Sequence, residues 1–372
     1  MKEKIDSALS AIDFKDILVW SSMGIGNSVN FMPMLRNLRI NFPEAKITLL
    51  SSSNKGNYEL MEGSNLYDNF IYFDKHSRLQ KYLACIKVLF NNYDLFIVKW
   101  HKNPLIATFI KFAWRSKTLG HVSGGGWTSP YDHLIDFKVP MEDGIHDVHQ
   151  YLNLLKPLGI EHPIAEQNIN INSRAIKNVD NVLKTLGITT KRLLIGLHFD
   201  AGLAQPYKNL DFTIWTNVLK NLEVEYPHAL FFLLGGAESS IGARVLKDLD
   251  KPLVFFDFTR KFSLHETTSF IARLDILIAV DSSLKTIADA VGTPSVIASG
   301  ATNYIRSQPI QTINQVVRVD IECSPCDIFG PTKWNVCSHR SCVKNFRASW
   351  MVDAVIAVIE QSKSRKIEVI NR

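Results

Sequence analysis

The feature that most constrains this chain is an alternation that runs, stops and restarts. Short apolar runs bounded by turn residues, "DILVW" (16–20), "KITLL" (46–50), "NFIYF" (69–73) and "LFIVKW" (95–100), are separated by helix-like stretches at 33–42, 55–63 and 79–92. Runs that are apolar on consecutive residues read as strands covered on both faces, which means parallel strands joined by crossover helices. "HDVHQYLNLLKPLGI" (146–160) reads as an amphipathic helix with a Pro-Leu-Gly stop. The alternation then begins again: strands at 193–198, 229–236, 253–258, 275–281 and 294–299, with helices at 211–226, 239–249, 263–273 and 283–291. The segment 163–190 is polar and Asn-rich and carries the boundary. The pattern predicts two Rossmann-like, doubly wound α/β domains in tandem, 1–172 and 173–346. The last segment, 347–372, holds a helix at 347–361 that is free to cross back to the first domain.

The chain has 372 residues, 46% apolar and 21% charged, enough for two ordinary domains. Its longest apolar runs are too short to span a bilayer, and the N-terminus lacks the apolar centre and cleavage pattern of a signal peptide. The expectation is a cytoplasmic protein, with the inner face of the membrane open to it. Net charge is +6 and the pI about 8.9. This mild excess suits anionic small molecules or an anionic membrane surface. No block of like charges and no nucleic-acid motif stands out, so no nucleic-acid partner is expected.

Two such domains leave a cleft facing the carboxyl ends of both sheets, where open α/β folds bind ligands. "WSSMGIGNSVNFMP" (20–33) sits at one such end. Gly24 and Gly26 let a bulky ligand approach, but the third glycine of the dinucleotide fingerprint is missing, which argues against NAD. "VDSSLKTIADAVG" places Asp281, Ser282 and Ser283 where a strand becomes a helix, a setting that favours phosphate or plain helix capping. Lys208 stands just before a helix, within reach of a diphosphate. Glu238 follows two glycines, where a carboxylate can accept from ribose hydroxyls.

Together these stretches resemble the lipopolysaccharide heptosyltransferases, glycosyltransferase family 9. The resemblance rests on "ILVWSSMGIGNSVNFMPMLRNLRINFPEAKITLL", "HDVHQYLNLLKPLGI", "IGLHFDAG…YKNLDFTIW", "FFLLGGAE", "DFTRKFSLHETTSFIARLDILIAVDSSLKTIADAVGTPSVIASGAT" and "CSPC", in the family's order from about 16 to 345. It implies a GT-B fold, with acceptor in the first domain and nucleotide sugar in the second. It implies inverting transfer from a nucleotide-diphosphate sugar, ADP-heptose in the best-known members. The acceptor is a saccharide, a lipid-linked sugar or a protein hydroxyl, which admits peripheral membrane contact. No cofactor is needed for the chemistry. The resemblance maps Lys208 to the lysine near the diphosphate, Asp281-Ser282-Ser283 to the phosphate loop, and Glu238 to the ribose-contacting glutamate.

This sequence departs from the family at three places. The first-loop Gly-Asp, whose Asp is the presumed base, is Gly26-Asn27; the phosphate-loop Gly is Ser283; the His one turn into that helix is Thr286. An amide cannot take a proton from an acceptor hydroxyl. Asn27 then orients the acceptor while a base lies elsewhere, with His101, His121 and Asp132 as candidates. Otherwise the chain is a non-catalytic nucleotide-sugar-binding relative, or a GT-B epimerase. Finally, Cys323, Cys326, Cys337 and Cys342 form a Cys-x2-Cys-x10-Cys-x4-Cys quartet. Four thiolates so spaced can hold a structural Zn or Fe.

Overall fold

The computed structural model describes residues 9, 11–100, 104–188, 192–202, 205–236, 240–249, 254–326 and 337–370. The chain divides into two compact units, Met1–Asn168 and Ile169–Arg372.

The first unit is built on six parallel strands, β1 (Asp16–Trp20), β2 (Lys46–Ser51), β3 (Asn69–Tyr72), β4 (Leu95–Val98), β5 (Lys117–Val122) and β6 (Phe137–Pro140), in the order β3-β2-β1-β4-β5-β6. The central strands β1 and β4 are almost wholly buried, which is why they read as unbroken apolar runs. Their register is tied by the Asp94 carboxylate, which accepts the N–H groups of Lys15 (2.8 Å) and Asp16 (3.0 Å). Among the described residues this unit has the helices α1 (Ile25–Asn41), α2 (Arg78–Phe90), α3 (Leu105–Phe112) and α4 (Asp147–Asn153). Trp20, Phe73 and Phe109, the last carried by α3, pack as a triangle of tilted rings in the core of this unit.

Helix α1 is buried along most of its length and carries Pro33 in its interior. Its amides serve the chain beyond it. Asn37 donates through Nδ2 to the carbonyls of Pro33 and Ile164, 2.8 Å each, and accepts the Ile164 N–H at 2.9 Å. Arg36 donates to the Glu166 carbonyl at 2.7 Å. The strand-like exit 164–168 is thus strapped to the helix whose first turn holds Asn27. With the Gln167 amide donating to Asn30 Oδ1, these bonds explain the buried Asn30 and Asn37 in a helix that propensity alone would fill with apolar residues.

The second unit repeats the plan: β7 (Leu194–His198), β8 (Leu230–Leu233), β9 (Phe255–Asp257), β10 (Ile276–Val280), β11 (Ser295–Ala298) and β12 (Asn314–Val317), ordered β12-β11-β10-β7-β8-β9 and parallel throughout. Its helices are α5 (Ser173–Thr185), α6 (Phe212–Glu225), α7 (Ser240–Asp248), α8 (Leu264–Ile271), α9 (Ser283–Ala290), α10 (Tyr304–Ser307), α11 (Ser341–Lys344) and α12 (Ala348–Ile370). A capping box between Ser263 and Glu266 starts α8. The last helix, α12, packs in this unit, on α6, β11 and β12, burying Met351, Val355, Val358 and Ile359.

The structure differs from the sequence reading in several elements. Helix α1 begins at Ile25, eight residues before the expected start at 33, so Gly26 and Asn27 lie in its first turn and not in a glycine turn. Gly24 takes an extended conformation (φ −83°, ψ 173°) as N-cap and needs no glycine-only geometry. Residues 55–61 form a 3-10 helix, and 146–160 splits into α4 and a 3-10 turn at 156–158. Strands β5, β6 and β12 and helix α3 had no counterpart in the sequence reading.

Candidate donor and acceptor sites

In the second unit β10 delivers Asp281 to the sheet's carboxyl edge, and α9 starts two residues later. Asp281 is buried and stands between two ammonium groups. Lys208 Nζ, from the 3-10 turn Pro206–Lys208, lies 3.0 Å from Oδ2, and Lys285 Nζ, one turn into α9, bonds Oδ1. Ser307 Oγ adds a weak bond to Oδ1 at 3.4 Å. Burial pushes the Asp281 carboxyl up, but the charges of Lys285 and then Lys208 outweigh it and hold the group well below the usual carboxylate range. The trio therefore carries a net single positive charge in a largely water-free setting, where an anion is strongly attracted.

The start of α9 is open. Ser282 sits at the N-cap, yet its side chain caps nothing, and no acidic residue occupies the first turn. Plain helix capping, the alternative reading of "DSS", is not what the hydroxyl does. Ser282 Oγ is buried with no partner. So is Oδ2 of Asp200, at the end of β7, whose Oδ1 accepts from Asn209 at 3.0 Å. Orphaned buried polar atoms cost roughly 1–3 kcal/mol each, so two on one sheet edge mark a place shaped for a ligand. Backbone N–H groups, a hydroxyl and two lysines suit a phosphate or diphosphate.

The structure thus brings together Lys208, Asp281, Ser282 and Ser283. Glu238 lies outside the described residues. Sequence reasoning missed Lys285 and Asp200. A lysine in "SSLKT" reads as solvent-facing, and only its place four residues after Asp281, one turn away on a helix, could have betrayed the pair.

In the first unit Asn27 is exposed on the first turn of α1 and makes no hydrogen bond among the described residues. Asp132 follows β5 through the loop 123–131. Its Oδ2 accepts the Ser123 N–H at 3.0 Å, while Oδ1 is buried without a partner. The two residues follow β1 and β5, which are two strands apart in one parallel sheet. At about 4.8 Å per strand the two strands lie roughly 10 Å apart. The loop before Asp132 is tightly set. Gly124 and Trp127 exchange backbone hydrogen bonds, and a Cβ at Gly124 would lie 2.4 Å from the Met141 carbonyl.

His121 is differently placed. Its Nδ1 accepts the Trp100 N–H at 3.2 Å and its Nε2–H donates to the Gln150 carbonyl at 2.9 Å. Burial, with the nearby Lys99 charge, drives its pKa down to about 3 against the Gln150 bond. Both nitrogens are engaged, so the ring has no lone pair to offer an acceptor hydroxyl. His101 lies outside the described residues.

The four cysteines are free thiols. Burial first, then the nearby Cys326, Cys337 and Cys323, push the Cys342 thiol up. Among the described residues, no group of three or more His, Cys, Asp or Glu side chains is placed to hold a metal ion.

His121 yields a pH prediction. Its pKa is lower in the folded chain than the ordinary 6.5, so below 6.5 the unfolded state binds the extra proton. Its stabilising contribution is complete above pH 6.5 and falls as pH drops toward 3, by up to about 1.4 kcal/mol per unit. Urea denaturation of wild type and His121→Gln between pH 7 and 4 should show a shallower acid loss in the variant. Equal slopes would contradict the assignment.

The sequence matches glycosyltransferase family 9 (heptosyltransferase) over residues 87–330. A lipopolysaccharide heptosyltransferase 3 of Escherichia coli is 24% identical over 300 residues, covering 76% of this chain and 83% of that relative. Among solved structures, a family 9 glycosyl transferase from Veillonella parvula DSM 2008 superposes with a TM-score of 0.74 at 18% identity, covering 94% of this chain and 98% of the other. The E. coli ADP-heptose LPS heptosyltransferase II gives 0.69 at 15% identity, covering 94% and 99%. The shared fold is GT-B, as the sequence predicted. With two-thirds of its length matched to the family, this chain belongs to glycosyltransferase family 9, the heptosyltransferases, and is a glycosyltransferase.

Proposed function

We propose that the protein transfers a heptose-like sugar, with inversion, from an ADP-sugar to a saccharide or lipid-linked hydroxyl in lipopolysaccharide synthesis. The observation that carries this reading is the Lys208–Asp281–Lys285 trio at the open start of α9. A departing nucleoside diphosphate gains negative charge in the transition state. Lys208 and the free N–H groups of α9 meet that charge, and because they are already fixed they need no reorganisation. Asp281 holds Lys208 in reach and is itself kept ionised by Lys285. Relatives named for lipopolysaccharide and for ADP-heptose support this choice of donor and pathway class.

Asp132 is the base in this reading. Its unpartnered Oδ1 can accept the proton of the attacking hydroxyl, while the Ser123 N–H fixes the other oxygen. Asn27 orients the acceptor from the first turn of α1. In an assay of ADP release from ADP-heptose with a lipopolysaccharide-core acceptor, Asp132→Asn should lose about 10²–10⁴-fold in turnover. Asn27→Ala should lose up to about tenfold, the worth of one positioning bond. Full activity in Asp132→Asn, or a hundredfold gain in Asn27→Asp, would overturn these roles.

The thiol quartet belongs to the same proposal as a structural Zn or Fe site, outside the chemistry. Its support is the chemistry of four soft sulfur donors alone, since among the described residues no three of them are placed to hold an ion. Cys323, Cys326, Cys337 and Cys342 would hold it. Protein purified without chelators should carry close to one metal per chain, and Cys337→Ser should lose it along with stability. Metal-free wild type would dismiss the site.

A further inference from the structure

Charge along the first unit is segregated. From Lys75 to Tyr131 the sequence has nine lysines and arginines and one acid, Asp94. That one carboxylate is committed to the backbone of Lys15 and Asp16. Helix α2 opens this stretch and has two apolar faces. Ala84, Cys85 and Val88 face the core. Leu79, Tyr82, Leu83, Ile86 and Phe90, spaced i, i+3, i+4, i+7 and i+11, form a second stripe on the opposite side. That stripe points outward. Leu79 is 66%, Tyr82 61% and Phe90 79% exposed.

The patch continues beyond the helix. Arg115 donates to Asn92 at 2.9 Å, just after the end of α2, and its guanidinium lies 4.8 Å from the Trp114 ring centroid. Trp114, which follows α3, is 65% exposed. Exposed Arg78 and Lys87 flank the stripe, and exposed Lys111, Arg115 and Lys117 lie within three residues of the tryptophan in sequence. A large apolar stripe on a soluble surface needs a partner. An amphipathic helix with aromatic and leucine residues outward, cations on its flanks and no acid is the composition that lies in the headgroup region of a bilayer. Here the helix is not free but fixed to a Rossmann-like sheet by its other face.

We propose that α2 and the Trp114–Arg115 corner form a docking surface for an anionic lipid bilayer. Leu79, Leu83 and Phe90 enter the acyl boundary, Tyr82 and Trp114 sit at headgroup level, and the lysines and arginines meet lipid phosphates. The surface deepens the reading of a lipid-linked acceptor, because it brings the unit that carries Asn27 and Asp132 to the membrane. It does not depend on that reading, since lipid binding is measured without any sugar.

The test is co-sedimentation of the full chain with vesicles of phosphatidylcholine alone or with about one-third phosphatidylglycerol, near 0.1 M salt. Wild type should pellet with the anionic vesicles and stay in solution with the neutral ones. The double substitution Leu83→Glu/Phe90→Glu should reduce pelleting at least tenfold. Arg78→Glu/Lys87→Glu, which keeps the apolar stripe, should do likewise. Every substituted residue is outside the core and the donor site, so circular dichroism and ADP affinity should be unchanged. Failure of wild type to bind anionic vesicles, or undiminished binding by either variant, would overturn the proposal. So would light scattering that shows a lipid-free oligomer which Leu83→Glu/Phe90→Glu turns into a monomer, because the face would then belong to a second copy of the chain.

Discussion

The second unit's chemistry depends on one buried carboxylate. Asp281 is 5% exposed, and removing a lone carboxylate from water that far would neutralise it or unfold the site. It survives as a charge because Lys285 comes from the following helix and Lys208 from the loop after β7. The ion pairs therefore tie the 206–208 turn to the distant junction where β10 passes into the first turn of α9. Breaking such a pair typically costs about 3–5 kcal/mol, because it strands the partner charge. One group thus fixes the local fold and fixes where a lysine is presented to a ligand.

The first unit handles buried polarity differently. Two of its buried polar side chains are neutral, His121 between Trp100 and Gln150 and Asn37 between α1 and Ile164, while the Lys99 ammonium is buried after β4. These bonds satisfy backbone groups. Asp132 stands out against this background with one oxygen bonded and one not.

Much of the fold was legible in the sequence, for a physical reason. β1, β2, β7, β10 and β11 are buried on both faces, and their apolar runs located them to within a residue or so. β6 and β12 are edge strands with half-exposed polar residues, and they left no such signature. β5 is interior but spends two positions on other tasks. Gly120 clears the Val98 carbonyl, which a Cβ would approach to 2.8 Å, and His121 makes its two hydrogen bonds. Of the site, the "DSS" segment and Lys208 could be read because strand-to-helix junctions have a chemical meaning. Lys285 could not, since a lysine's burial depends on a partner that only the fold brings near. The charge segregation around α2 was equally hidden, because the total of +6 averages a nearly acid-free stretch with the rest of the chain.

Family membership sets the class of reaction, and the Lys208–Asp281–Lys285 arrangement says how this chain would hold its donor. Isothermal calorimetry with ADP, on wild type and Lys208→Met, addresses that arrangement most directly. A lysine bonded to phosphate contributes about 1.5–3 kcal/mol, so the variant should bind ADP roughly 10–150-fold more weakly while its fold is retained. Equal affinity in the two proteins, or no binding of ADP by wild type, would contradict the account.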